Sequence, residues 1–182
     1  MMSITARSYE PRPVIRELEF MNSTDVFFHA AKAWATKKGG LRDQLKIFEA
    51  FSHTEPLKAW ATRNLNSLVN IETWIDSYET HFIKDYVIDI QKTGWSDDYC
   101  EYAINAACNI SRQITTVNQW LATVNSDTTR IQHTASLKND PHPADVNKLY
   151  IEWAKTALCE IKHFGTLIDA HCDEITVFQT SS

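Results

Sequence analysis

Apolar residues recur at three- and four-residue steps through most of the chain, which is the spacing of one face of an α-helix. The first long run lies at Leu57, Ala61, Leu65, Leu68, Ile71, Ile75, Tyr78, Phe82 and Tyr86. A second run lies at Tyr99, Ala103, Ala106, Ile110, Ile114, Val117, Leu121 and Val124. A third lies at Val146, Leu149, Trp153, Ala157, Ile161, Phe164, Ile168 and Ile175. The pattern predicts three long helices, each with one inward face.

Two shorter segments precede the long helices. Residues 22–40 have the signals of a complete helix, because Ser23 or Thr24 can cap its start and Gly39 follows its last turn. Residues 41–51 form a short amphipathic segment, and residues 14–21 are ambiguous between helix and strand. With only four glycines and five prolines in 182 residues, the chain is poor in tight turns. The predicted fold is an all-α, up-and-down helical bundle of three long helices plus one or two shorter N-terminal helices.

The domain organisation follows from where the periodicity stops. Residues 1–13 lack it and contain two prolines, so we predict an extended N-terminal arm. Residues 14–178 are predicted to form a single bundle domain, with a flexible loop at about 125–142 and a tail at 179–182. No apolar stretch reaches about 18 residues and the N-terminus lacks a secretory signal, so we expect no membrane contact and a cytoplasmic location.

Charge is unevenly distributed along the chain, which has a net charge of −5. Residues 1–63 carry ten basic and seven acidic residues, whereas residues 72–101 carry eight acidic residues and two lysines. Within the acidic block, Glu72, Asp76 and Glu79 recur on successive helical turns, and Asp85 and Asp89 follow. Such a face either pairs with the basic N-terminal helices or binds a basic partner. We expect the second, and predict this acidic face as a partner-binding surface.

The letters KAWAT occur twice, at residues 32–36 and 58–62. The flanking residues do not align, so the match reflects helix composition rather than a repeat. The two tryptophans either pack between helices or form a surface with nearby basic residues for an acidic or phosphate-bearing partner. The possible basic and aromatic patch comprises Lys32, Trp34, Lys37, Lys38, Arg42, Lys58, Trp60 and Arg63.

One helical stripe has metal-binding residue types, at Glu160, His163, His171 and Glu174. A di-iron bundle needs a second Glu-x-x-His segment, which this chain lacks. We therefore favour a solvated stripe over a metal site and expect no cofactor. The four cysteines have no zinc-binding spacing and are expected to be buried thiols.

The chain has no glycine-rich phosphate loop and no nucleophile motif. We predict a non-enzymatic helical protein that binds another protein, as a small accessory subunit or as a modulator or inhibitor of a larger complex. An alternative is a nucleic-acid-contacting subunit that uses the basic N-terminal helices, although an acidic chain lacks a broad basic footprint. A metal-dependent helical bundle is a second alternative, and a homo-oligomer also fits the sequence.

Overall fold

The computed structural model describes residues 11–78, 80, 97–137 and 144–180. Within these ranges the chain is helical apart from short turns and contains no strand. The helices are α1 (Pro11–Ala35), α2 (Leu41–Phe51), α3 (Glu55–Tyr78), α4 (Asp97–Ala135) and α5 (Ala144–Thr180). The predicted all-α helical bundle is confirmed.

Helix α1 begins earlier than the sequence indicated. Pro11 and Pro13 lie in its first turn, where the missing N–H groups have no intrahelical partner to lose. The predicted arm is therefore wrong at residues 11–13, and residues 1–10 lie outside the described part. Ser23 and Thr24 do not cap a helix start, because the Ser23 hydroxyl donates to the Phe20 carbonyl one turn back. The ambiguous residues 14–21 thus belong to one helix of 25 residues.

Two further boundaries differ from the prediction. Helix α4 continues through most of the predicted loop, because Val124, Thr128 and Ala135 keep a buried stripe at helical spacing in a polar stretch. It ends where the Ser136 hydroxyl donates to the His133 carbonyl, at 2.7 Å. Residues 138–143 of that loop lie outside the described ranges. Helix α5 extends to Thr180, so the predicted tail is wrong at residues 179 and 180.

Helices α4 and α5 form the closest pair in the described structure, and they run antiparallel. The start of α4 meets the end of α5, where Gln179 donates to Cys108 Sγ at 3.9 Å. Small buried residues let the backbones approach closely, and they are Ala103, Ala106, Ala107, Ala154 and Ala157. The predicted inward stripes are confirmed at most described positions. Leu149 is an error, since it is 49% exposed and its neighbour Tyr150 is buried instead.

Helix α1 packs along α5 through stacked rings. Phe20 stacks on Phe178 with ring centroids 4.3 Å apart, and Trp34 stacks on Phe164 at 4.0 Å. The Trp34 indole N–H also donates to the Glu160 carbonyl at 2.9 Å. These contacts fix α1 antiparallel to α5, with the C-terminal end of α1 beside the middle of α5.

An aromatic cluster holds α2, α3 and α5 together at one end of the bundle. Phe48 of α2 is fully buried, and its ring lies 4.2 Å from Trp153 and 5.6 Å from Trp60, between ring centroids. The Trp153 indole N–H donates to the Gln44 carbonyl at 2.7 Å. The Tyr150 hydroxyl accepts the His53 backbone N–H at 2.9 Å. Each polar edge of the cluster therefore has a partner, as buried indole and phenol groups require.

Two properties of the described chain concern its surroundings. No described helix is long and apolar enough to cross a membrane. Cys108 and Cys159 are exposed thiols, so the prediction that the thiols are buried is wrong for these two.

Two glycines differ in backbone conformation and allow a matched pair of alanine substitutions. Gly39 has φ +77°, in the left-handed region, whereas Gly165 lies inside α5 where an added Cβ meets nothing within 4 Å. We expect Gly39→Ala to lower the free energy of unfolding by about 1 kcal/mol and Gly165→Ala to raise it by up to about 1 kcal/mol. Thermal melts should shift by roughly 2–4 °C in opposite directions. A higher melting temperature for Gly39→Ala would contradict this assignment.

Candidate functional site

The two described residues of the predicted acidic face, Glu72 and Asp76, each lie beside a basic residue of the same chain. Glu72 forms an ion pair with Arg42 of α2, and its side chain is only 16% exposed. Asp76 lies 3.8 Å from Lys32 of α1, with both side chains largely in solvent. The expectation that Glu72 stays unpaired for a partner is therefore wrong, whereas the partner-binding role of the exposed Asp76 stays a prediction. Glu79, Asp85 and Asp89 lie outside the described residues.

The predicted basic and aromatic patch does not form one surface. Trp34 is buried against α5, and Trp60 is buried between α2, α4 and α5. Its remaining members have separate roles: Lys32, Lys37 and Arg42 form ion pairs, Lys38 and Arg63 are exposed, and Lys58 is half-buried. The packing interpretation of the tryptophans is correct, although they pack in different places.

The residues of the predicted metal stripe do not form one site either. Glu160 is buried and its carboxylate accepts from Lys37 Nζ at 2.6 Å, a hydrogen bond that raises the pKa of Lys37. His163 is exposed, whereas His171 is fully buried two turns further on. The description of this stripe as solvated is therefore wrong for Glu160 and His171, whereas His163 is exposed as expected. Among the described residues, no group of three or more His, Cys, Asp or Glu lies close enough to share a metal ion.

His171 is instead part of the aromatic packing between α1 and α5. Its ring stacks on Phe27 at 4.5 Å between centroids, and neither ring nitrogen has a hydrogen-bond partner among the described groups. Burial disfavours the imidazolium and lowers the pKa of His171 from 6.5 to about 4, although Glu174, 3.8 Å away, acts in the opposite direction. The folded protein therefore holds this histidine neutral.

The strongest candidate for a binding site is a cleft between α3 and α4, at the end of the bundle closed by the aromatic cluster. The cleft has a volume of about 440 Å³. Its floor and walls are apolar side chains, namely Pro56, Leu57, Trp60, Ile131, Ala135 and Tyr150. Its polar lining consists of Arg63, Asp127, Arg130 and Thr134. We call this recess the Trp60 cleft.

Local structure positions each wall of the Trp60 cleft. Thr54 caps α3, since its hydroxyl oxygen accepts the Leu57 N–H at 3.4 Å, and this sets the register of Trp60 one turn later. The Trp60 indole N–H then donates to Asp127 Oδ2 at 2.9 Å. Arg130 Nη2 lies 3.3 Å from the other oxygen of Asp127. The single carboxylate among the lining residues is therefore engaged on both oxygens.

The two arginines give the cleft a positive rim. The Arg130 side chain is 72% exposed, and Arg63 is exposed and forms no ion pair with any residue that the structure describes. With Asp127 already bonded, the rim carries one more positive than negative charge. An apolar floor beneath an arginine rim suits a ligand that is apolar on one side and acidic on the other.

A polar groove continues along the same face between α3 and α4. Its two connected parts have volumes of about 590 and 200 Å³ and share Asn70, Trp74 and Gln113. Its aromatic lining is Trp74, Tyr78 and Trp120, and its one described charged side chain is Arg112. The other lining groups are mainly amides and hydroxyls, at Ser67, Asn70, Thr73, Ser77, Asn109, Gln113 and Thr116. We call this recess the Trp74 groove.

Sequence reasoning found only Trp60 and Arg63 among the residues that line the Trp60 cleft. Asp127, Arg130 and Thr134 were missed because residues 125–142 were interpreted as a loop, which removed their helical positions. The spacing of Val124, Thr128, Ile131 and Ala135 carried the helical signal.

Comparison of the chain with protein-family models, with curated proteins and with solved structures found no match.

The ion pair of Glu72 should contribute to stability and that of Asp76 should not. We expect Glu72→Gln to lower the free energy of unfolding by about 1 kcal/mol, because it leaves Arg42 without its partner in a half-buried position. Asp76→Asn should change it by less than about 0.5 kcal/mol, as for exposed pairs in general. Urea melts of both variants measure the difference. Equal effects would show that burial of Glu72 has no energetic consequence.

His171 should make the protein sensitive to mild acid. As the pH falls below 6.5, His171 becomes protonated in the unfolded chain, whereas in the folded protein it stays neutral until about pH 4. The free energy of unfolding should fall across this window, by a total of roughly 3 kcal/mol, and the contribution should level off below it. The His171→Phe variant keeps the stacked ring and should lose this part of the slope. Parallel slopes for the two proteins between pH 6.5 and 4 would exclude His171 as the cause.

Proposed function

We propose that the protein is a non-enzymatic binding module that holds a segment of another protein in the Trp60 cleft. The observation that carries the proposal is the open recess itself, with an aromatic and aliphatic floor and two arginines at its rim. Tryptophan, tyrosine and arginine are the residue types that contribute most to binding energy at protein interfaces. A module of this kind acts as an accessory subunit or as a modulator of its partner.

The surroundings of the cleft support a protein as the ligand. Leu137 and Leu149 are 50% and 49% exposed, and they lie close in sequence to the lining residues Ala135 and Tyr150. If these two side chains border the recess, they extend the apolar surface that a partner can cover. A small ligand would leave this margin unused.

The polar groups of the cleft support binding rather than catalysis. Asp127 is held by Trp60 and Arg130, and the Tyr150 hydroxyl is held by the His53 backbone. Thr134 is the one other hydroxyl among the described lining groups, and the lining contains no histidine or cysteine beside it. A nucleophile with an adjacent base, which acyl or phosphoryl transfer through the protein would need, is therefore missing from this recess.

The proposal is tested by filling the cleft from its rim. Thr134 is exposed and lines the cleft, so Thr134→Trp should obstruct it without touching the core. Thr129 is also exposed on the same helix but does not line the cleft, and Thr129→Trp is the matched control. Both variants should keep the helical circular dichroism and the melting temperature of the original protein.

Capture from a lysate of the source organism, quantified by mass spectrometry, then separates the outcomes. We expect Thr134→Trp to reduce recovery of the specific partner by roughly tenfold or more, which corresponds to a loss of about 1.4 kcal/mol, and Thr129→Trp to retain it. Unchanged capture by Thr134→Trp would exclude the Trp60 cleft as the binding surface.

A further inference from the structure

The Trp60 cleft and the Trp74 groove lie in line on one face of the molecule. The cleft is formed by the first turns of α3 and the last turns of α4, and the groove by later turns of α3 and earlier turns of α4. From Trp60 to Tyr78 the face extends about 27 Å, at about 1.5 Å per helical residue. An α-helix of about 18 residues has this length.

Helices α3 and α4 are held apart along this face. They approach each other less closely than α4 and α5 do, and side-chain hydrogen bonds connect them. Trp60 donates to Asp127 at 2.9 Å, and Trp120 donates to the side-chain oxygen of Asn64 at 3.1 Å. Because the connection is made by long side chains, the Trp60 cleft and the Trp74 groove stay open above it and together can hold a third helix. We call the two recesses together the trough.

The charge of the trough is opposite to that of the protein as a whole. Three arginines line it, namely Arg63, Arg112 and Arg130, in a chain with a net charge of −5. Asp127 is the one carboxylate among the described lining residues, and its oxygens are already bonded. Arg112 donates to the uncharged amide of Asn109, so its charge is not neutralised by that contact. A positive trough in an acidic protein favours an acidic ligand and repels a basic one.

We propose that the partner segment is an acidic amphipathic helix that lies along α3 and α4. Its apolar side chains enter the Trp60 cleft and contact Trp74 and Trp120, and its carboxylates pair with Arg63, Arg112 and Arg130. This inference rests on the proposed function and adds the chemistry and the length of the bound segment. The mode is that of a helix in a groove, with anchor residues at three- and four-residue steps.

The probe is a synthetic peptide of about 18 residues, with leucine or tryptophan at helical i, i+3, i+4 and i+7 positions and glutamate and alanine elsewhere. The control peptide keeps every apolar position and replaces each glutamate by lysine. Fluorescence polarisation of labelled peptides measures both affinities at low and at high salt. We expect the acidic peptide to bind roughly tenfold or more tightly than the basic one, with a difference that shrinks as salt is raised. This comparison uses the unmodified protein and needs no variant to fold.

Charge reversal locates the site. The triple variant R63E/R112E/R130E should bind the lysine peptide better than the glutamate peptide. The control variant K46E/K155E/K162E has the same net charge as the triple variant, and its substitutions lie at exposed positions outside the trough. It should retain the original preference. Equal affinities of the unmodified protein for the two peptides, or a preference reversed by the control variant, would overturn the inference.

Two other occupants of the trough are outcomes that overturn it as well. The segment 79–96 of the chain contains acidic and apolar residues and connects α3 to α4 in sequence. If it occupied the trough, the double variant Asp89→Cys, Gln113→Cys would form a cross-link within one chain, in protein whose native cysteines are replaced by serine. If a second copy occupied the trough, light scattering would report a dimer that R63E/R112E/R130E dissociates.

The acidic helix and the proposed function can fail separately. If neither peptide binds but Thr134→Trp still abolishes capture, only the acidic helix is refuted. Unchanged capture by Thr134→Trp would refute the proposed function itself.

Discussion

The burial of Phe48 is the contact on which the rest of this end of the molecule depends. Its ring packs against Trp60 of α3 and against Tyr150 and Trp153 of α5, so one side chain of the short helix α2 fixes two long helices. With its ring held there, Trp60 presents its indole N–H to Asp127 and connects α3 to α4 at a distance set by two side chains. The Trp60 cleft exists because this connection is polar and long rather than a close backbone contact.

Ion pairs inside the protein account for part of the uneven distribution of charge along the chain. Lys37, in the turn that follows α1, pairs with a buried carboxylate of α5, and Arg42 of α2 pairs with a half-buried carboxylate of α3. Removing one member of such a pair would leave a charge without compensation away from water, which costs more than the pair contributes. Three further basic residues, Arg63, Arg112 and Arg130, line the trough. The positive surface of the proposed binding site lies on α3 and α4 and not on the N-terminal helices.

How much could be predicted from the sequence depended on whether a signal was local. The stripe Ala103, Ala106, Ile110 is buried as predicted, because a 3.6-residue period follows from one helix facing one core. The start of α1 was missed because prolines inside a first turn look like those of an extended arm. The cleft was missed because the Trp60 and Asp127 pairing joins positions 67 residues apart, and no local period encodes it.

The arrangement of the helices also supports α3 and α4 as the side of the bundle where we propose that a partner binds. Helix α5 is enclosed by α1, α2 and α4, and α1 is fixed to it by stacked rings, so opening either contact would expose the core. Helix α3 is fixed mainly by α2 on one side and meets α4 through side-chain hydrogen bonds on the other. A helix that settles between α3 and α4 adds apolar contact to Trp74 and Trp120 without removing any from the core. The proposed binding on this face would therefore extend the bundle rather than compete with its core contacts.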